Sequence, residues 1–243
     1  MGKLDGRIAL VTGAARGIGA ATATMLAAEG ARLAVCDIND ADGKEFADSI
    51  GGRYYHLDVS DENAWADVVA EVRTDLGPIT VLVNNAGIGA AGGAHTTSTE
   101  DWRRVMSINV DGTFFGIRSV TPHMVEAGEG VIINISSTAG LGGSSGITAY
   151  ATSKWAVRGL TKCAALDLAD LNIRVVSVHP GVVRTPIYGN NDLTPMTATR
   201  PIARPAEPEE LARMVLFCAA DATFSTGSEF VADGGYSVGE IRR

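Results

Sequence analysis

Tyr150 and Lys154 stand four residues apart in a segment with helical periodicity, and Ser137 lies upstream at the close of an apolar run. Positions i and i+4 share a helix face, so the phenol and the ammonium point the same way. A phenol, a cation and a hydroxyl held together suit proton transfer at a carbonyl or carbinol oxygen. Free tyrosine has a pKa of about 10 and is a poor base at neutral pH. Moving it to ~7 takes roughly 4 kcal/mol of preference for the phenolate. A cation about 4 Å away, at an effective dielectric of ~20, supplies about that much. Lys154 is therefore expected to do most of the tuning. The plain alternative is a half-buried helix tyrosine beside a solvated lysine. Context separates the two: Tyr54, Tyr55, Tyr188 and Tyr236 have no lysine four residues on, and Tyr150 alone follows a strand, a serine and a loop.

The elements that must hold these groups are legible as pattern. Val131-Ile132-Ile133-Asn134-Ile135 is short and β-branched, bounded by Gly130 and a Ser/Gly cluster, and reads as a buried strand. Ser137 then falls at a carboxyl end, where open α/β sheets place their ligands. Tyr150 opens a helix with apolar positions at Trp155, Val157, Leu160, Cys163, Ala164, Leu166 and Leu168.

A second chemical signal lies near the start. A strand over 8–11 runs into Thr12-Gly13-Ala14-Ala15-Arg16-Gly17-Ile18-Gly19, which opens a helix ending at Gly30. Glycines there allow a tight turn and close approach of backbone, and the helix N-terminus suits an anionic diphosphate. The next strand, over 32–37, closes on Asp37, the position at which an acid accepts ribose hydroxyls. The alternative is that Asp37 caps the helix beginning at Asn39-Asp40. Asp58, ending a third strand over 53–57, reads either as a partner for an adenine amino group or as a cap for a helix over 61–75. A fourth strand over 79–83 ends in Asn84-Asn85-Ala86-Gly87, amides that fix neighbouring loops or floor a nucleotide site. Asn109 lies on the apolar side of one long helix running from 98 past Met124, bonded to its neighbours or holding a water. A strand over 173–178 leads to His179-Pro180-Gly181, a sharp turn able to present backbone groups to a ring amide; His179 reads as structural. The polar, proline-bearing stretch 186–205 reads as a substrate lid, and 207–220 and 229–232 as a last helix and strand.

Composition agrees with that plan and narrows it. The 243 residues are 46% hydrophobic and 20% charged, which fits one large α/β domain over 1–243 and argues against disorder. A net charge of −8 disfavours nucleic acid or an anionic membrane surface as partner. No apolar run approaches the roughly 18 residues of a span, and the N-terminus lacks a signal-like apolar stretch. Gly6 stands where a myristoylation signal expects Ser or Thr. Cys36, Cys163 and Cys218 lie in apolar patterns and are expected to be buried free thiols of a cytoplasmic protein. His56, His95, His123 and His179 are dispersed, and no metal site is expected. Strands and helices alternate throughout, which implies a parallel sheet with helices on both faces.

Taken together, Thr12-Gly13-x-x-x-Gly17-x-Gly19, Asn84-Asn85-Ala86-Gly87, Asn109, Ser137, Tyr150-x-x-x-Lys154 and Pro180-Gly181 resemble the short-chain dehydrogenase/reductase family over the whole chain. The resemblance implies a Rossmann-type doubly wound sheet of seven strands in the order 3-2-1-4-5-6-7, a nicotinamide dinucleotide cofactor and a homotetramer. By motif, Tyr150 resembles the catalytic acid/base, Lys154 the residue that tunes it and binds the nicotinamide ribose, Ser137 the group polarising the substrate oxygen, and Asn109 the holder of a relay water. Gly13, Arg16, Gly17, Ile18, Gly19, Asp37, Asp58, Val59, Asn85, Ala86, Gly87, Pro180, Gly181, Val183 and Thr185 resemble cofactor contacts, as do Tyr150 and Lys154. The stretches 153–160 and 178–181 are most similar to bacterial NAD-dependent 3α(20β)-hydroxysteroid and related secondary-alcohol dehydrogenases.

Three functions are consistent with these residues. The first is an NAD(H)-dependent dehydrogenase of secondary alcohols or ketones. The second is an NADPH-dependent 3-oxoacyl thioester reductase. The third, a cofactor-binding regulator without chemistry, is disfavoured because Asn109, Ser137, Tyr150 and Lys154 are all present. Asp37 followed by Ile38 favours NAD; Arg16 points the other way. Small, uncharged residues over 88–94, Leu141 to Gly143, and Ile187, Tyr188, Leu193 and Met196 predict a hydrophobic, cyclic or aryl substrate, unless they only pack the lid onto the body. Arg184 and Arg200 are expected to face solvent or to clamp the diphosphate.

Overall fold

The computed structural model describes residues 2–189 and 191–239; Asn190, within the predicted lid, and both chain ends of the predicted 1–243 span lie outside it. Seven strands, β1 (Ile8–Thr12), β2 (Arg32–Asp37), β3 (Arg53–His56), β4 (Val81–Asn84), β5 (Gly130–Ile135), β6 (Ile173–Pro180) and β7 (Glu229–Ala232), form one sheet. Every pairing is parallel and the order is β3-β2-β1-β4-β5-β6-β7. This is the doubly wound α/β fold expected from the sequence. Strands β1, β4 and β5 are buried along their length, which is why they read as continuous apolar runs.

The helices are α1 (Gly17–Ala28), α2 (Asp40–Ser49), α3 (Glu62–Asp75), α4 (Thr99–Met106), α5 (Gly112–Ala127), α6 (Thr148–Asp167), α7 (Thr194–Thr197) and α8 (Pro208–Ala220). They cover both faces of the sheet. On one, Leu26 of α1 and Leu211 and Val215 of α8 pack with Val11, Val83 and Ile133. On the other, Trp65 of α3 and Met124 of α5 pack with Leu10, Leu82 and Ile132. Chain order reverses between β1 and β4, and a crevice opens at the carboxyl ends there.

Side-chain oxygens cap four of the eight helices. Asn39 accepts from the Asp42 amide, Asp61 from those of Asn63 and Ala64, and Ser98 from that of Asp101. Glu207 and Glu210 form a reciprocal capping box at α8. Helix α1, like α5, α6 and α7, begins without a side-chain cap and without an acid in its first turn; of these it is the one that follows the glycine turn.

Three local expectations are corrected. The segment read as one helix is two, joined by a π turn at Ser107–Asp111 in which the Gly112 amide reaches back to the Ser107 carbonyl. Helix α6 buries Ala149, Ala151, Ser153, Lys154, Val157, Thr161, Ala164 and Ala165; Trp155 and Leu166 are exposed, the latter by 82%. Small residues let α6 lie close to the sheet, so the large apolar ones fall on its outer side. Cys163 shares that outer side and is exposed, whereas Cys36 and Cys218 are buried.

Candidate active site

A cavity of about 1210 Å³ lies over the carboxyl ends of the strands. It gathers Gly13, Arg16, Gly17, Ile18, Asp37, Asp58, Val59, Asn85, Ala86, Gly87, Ser137, Tyr150, Lys154, Pro180, Gly181, Val183 and Thr185. Gly19 and Asn109 stand behind its wall.

The glycine loop is fastened to the end of β4. Thr12 Oγ1 accepts from the amides of Asn85 and Ala86, each at 3.0 Å. Asn85 Nδ2 donates to the carbonyls of Thr12 at 2.8 Å and Gly13 at 3.0 Å. Gly13 and Gly17 have φ of 61° and 60°, the left-handed region that favours glycine. A Cβ on Gly13 would stand 2.8 Å from Ala86 Cα, and one on Gly19 would run into the Gly13 carbonyl. The turn that results aims the uncapped start of α1 at the crevice. Amides without a side-chain acceptor, beneath a glycine turn, suit an anion.

Asp37 ends β2 on the same cavity. Its Oδ2 accepts from the Ala15 amide and its Oδ1 from the Asn39 amide, both at 3.0 Å. The cap of α2 is Asn39, so Asp37 is not the helix cap that the alternative reading allowed. Asp58 likewise is not a cap: it accepts from the Ser60 amide and hydroxyl, while Asp61 caps α3. These residues fit a dinucleotide, with amide donors for its phosphates and a carboxylate at the far end for a ribose.

The other half of the cavity holds the titratable groups. Lys154 Nζ donates to the Ile135 carbonyl at 2.8 Å, and Ser136 Oγ donates to the Lys154 carbonyl at 3.0 Å. These bonds pin α6 across the end of β5. Ser137 Oγ accepts from the Ala139 amide at 3.1 Å and lines the cavity with the Tyr150 phenol. Burial pushes Tyr150 up to about 12, with the Ser137 hydroxyl pulling the other way and the Tyr188 phenol adding to the rise. Burial also brings Lys154 down to about 8. Desolvation therefore outweighs the tuning by Lys154 expected from sequence; both groups are held toward neutrality.

Asn109 sits in the π turn, 1% exposed. Its Nδ2 donates to the Ile88 carbonyl and to Ser153 Oγ, and its Oδ1 accepts from the Ile88 amide, each at 2.9 Å. Ser153 Oγ in turn donates to the Tyr150 carbonyl at 2.7 Å. A Cβ on Gly87 would lie 3.2 Å from Asn109 Oδ1 and 3.4 Å from Lys154 Nζ, so both atoms border one small space beside Gly87.

The roof departs in places from expectation. Ile187, Tyr188 and Met196 line the cavity, but Leu193 is buried in the body and Leu141, Gly142 and Gly143 lie off the wall. Arg184 is exposed and paired with Glu207 at 3.1 Å. Arg200 lines the cavity with its guanidinium carbon 3.7 Å from the centre of the Tyr236 ring. Arg104, paired with Asp101 at 2.9 Å, lines it too. Arg104 with Ile108, Ser144 with Ile147, and Tyr236 come from three separate parts of the chain, and nothing in the sequence marks these three parts as neighbours. No helix among the described residues is long and apolar enough to cross a membrane.

The family model described as short chain dehydrogenase matches residues 7–195. A 3-alpha-(or 20-beta)-hydroxysteroid dehydrogenase of Mycobacterium tuberculosis is 44% identical over 242 residues, covering 98% of this chain and 92% of the relative. A cyclopentanol dehydrogenase of Comamonas testosteroni is 42% identical over 248 residues, covering 98% and 99%. An NADP-dependent (R)-specific alcohol dehydrogenase of Lentilactobacillus kefiri is 39% identical over 247 residues, covering 97% and 98%.

Proposed function

The chain belongs to the short-chain dehydrogenase family and is an oxidoreductase, and on that premise we propose that it interconverts a hydrophobic cyclic or aryl secondary alcohol and its ketone with NAD(H). The observation that carries this reading is the meeting of Ser137, Tyr150 and Lys154 on one cavity that ends, at its far side, in Asp37. A bound nicotinamide supplies or accepts the hydride and, when oxidised, adds a positive charge.

The protein's own groups handle the proton. The Ser137 hydroxyl holds the substrate oxygen, and the Tyr150 oxygen takes the carbinol proton in oxidation and returns it in reduction. Burial makes an ionised Tyr150 costly, so added positive charge beside it favours the phenolate. Lys154, tied to Ile135, is fixed for that task and for contact with a ribose. Both amide hydrogens of Asn109 are committed to the protein, leaving Oδ1 facing the space it shares with Lys154 Nζ. That arrangement supports a role for Asn109 in holding a relay water.

The Asp37 carboxylate supports NAD over NADP, because it would repel a 2′-phosphate, and exposed Ile38 brings no cation. Arg16 on the cavity is the contrary feature. The names of the hydroxysteroid and cyclopentanol relatives support a cyclic alcohol, as does the apolar share of the lid. Exposed Trp102, Phe114, Trp155 and Leu166 on α4–α6, and Phe217 and Val231 on α8 and β7, support a homotetramer of single-domain subunits with the lid at 186–205. Three free cysteines are in keeping with a cytoplasmic setting.

Steady-state kinetics with both cofactors on a steroid, a cyclohexanol, a 1-arylethanol, a sugar and a 3-oxoacyl thioester tests the proposal. The highest kcat/KM is expected for NAD(H) with one of the first three. The sugar or the thioester ranking first would overturn the substrate class.

A further inference from the structure

His179 is fully buried beneath the crevice and takes no part in the chemistry described above. Residues i and i+2 of a strand share a face, so Ser177 and His179 of β6 lie side by side. Ser177 Oγ is 2.8 Å from His179 Nε2, and His179 Nδ1 is 3.1 Å from the Ser137 carbonyl oxygen. A carbonyl only accepts, so Nδ1 carries the proton and Nε2 receives the Ser177 hydroxyl. Burial holds the imidazole below its ordinary pKa, which keeps this neutral tautomer.

The location gives the contact its meaning. The β5–β6 ladder runs to the Ser136 amide, which donates to the Val178 carbonyl at 2.8 Å. Pro180, next on β6, has no N–H to carry the ladder on. The His179 side chain supplies the next donor across the pair, and it grips the peptide of Ser137.

We infer that His179 is a positioning residue for the reaction: through its Nδ1–H, oriented by Ser177, it sets the backbone of Ser137 and so the aim of the Ser137 hydroxyl at the substrate oxygen. The inference rests on the catalytic reading of Ser137.

Asparagine carries its amide nitrogen at the place of Nδ1, and glutamine near the place of Nε2. His179→Asn is therefore expected to keep kcat close to wild type. His179→Gln should lower kcat about ten-fold or more, as misplacement of a catalytic group does, with cofactor affinity and melting temperature matching those of His179→Asn. In a Ser137→Ala background the Asn and Gln variants should differ little, because the group being aimed is gone. Equal kcat for the two variants in the wild-type background, or an undiminished difference in the Ser137→Ala background, overturns the inference. An unchanged kcat in Ser137→Ala alone overturns the catalytic reading, and the inference with it.

Discussion

The ammonium nitrogen of Lys154 stands 5.6 Å from the centre of the Tyr150 ring, and burial drives the two groups toward neutrality from opposite directions. Lys154 loses its proton near 8 in the folded protein, against 10.5 ordinarily. Between those values the unfolded chain holds a proton that the folded one lacks, so stability rises with pH, by up to about 1.4 kcal/mol per unit. Tyr150 acts in the opposite sense above 10, where the folded state keeps its proton to about 12. Burial also raises the Cys36 and Cys218 thiols, which oppose this gain above pH 9, so the test is a difference: from pH 8 to 10 the stability of Lys154→Met should change less favourably than that of the cofactor-free wild type. Urea midpoints across that window measure it; parallel curves for the two proteins would remove Lys154 as the cause.

Tyr150→Phe should lower kcat on the order of 10²-fold or more, the usual scale for losing an acid/base group. Cofactor binding should persist, since the phenol is at the other end of the cavity from Asp37. Ser137→Ala should also lower kcat. Fluorescence titration with the dinucleotide, beside turnover, separates the effects; a Tyr150→Phe enzyme retaining most of its turnover would mean that another group moves the proton.

Asp37→Ala should raise KM for NAD(H), lower it for NADP(H) and so narrow the gap between them. The change also frees the Ala15 and Asn39 amides. A wild-type enzyme already faster with NADP(H) would show Arg16, rather than Asp37, to be decisive.

Asn109→Ala should destabilise the fold by about 1–3 kcal/mol, the penalty for stranding buried polar partners. It would leave the Ile88 peptide and Ser153 without their bonds. Denaturant unfolding reads this directly, and kcat should fall alongside. A loss of kcat at full stability would mean that Asn109 serves the chemistry without bracing the wall.

Much of this was legible because the sheet is parallel and buried on both faces: β1, the middle of β2 and most of β5 had to be apolar runs, and they stand out. Tyr150 and Lys154 were legible because helical spacing alone makes them neighbours. The π turn left no trace, since Val105, Ile108, Phe114 and Ile117 continue an apolar pattern straight through it. The apolar pattern starts β4 two residues early because Ile79 is as buried as the strand that follows. The exposure of Cys163 was hidden for a related reason: apolar periodicity marks a face, and α6 turned its small residues inward. Arg104, Arg200 and Tyr236 meet across the cavity only through the fold, so no local window contains them.

A π turn carries one residue more than the α-helical path it replaces. Deleting one codon within 107–111 would therefore let α4 and α5 run together with their buried sides still in phase, Val105 on one flank and Ile117, Val120 and Met124 on the other. The amide joining Ile88 to Ser153 would swing away, while the sheet and its covering layers would be left as they are. The surplus residue thus makes this wall of the cavity separable from the scaffold: one in-frame step would shed the proposed activity and keep a folded protein.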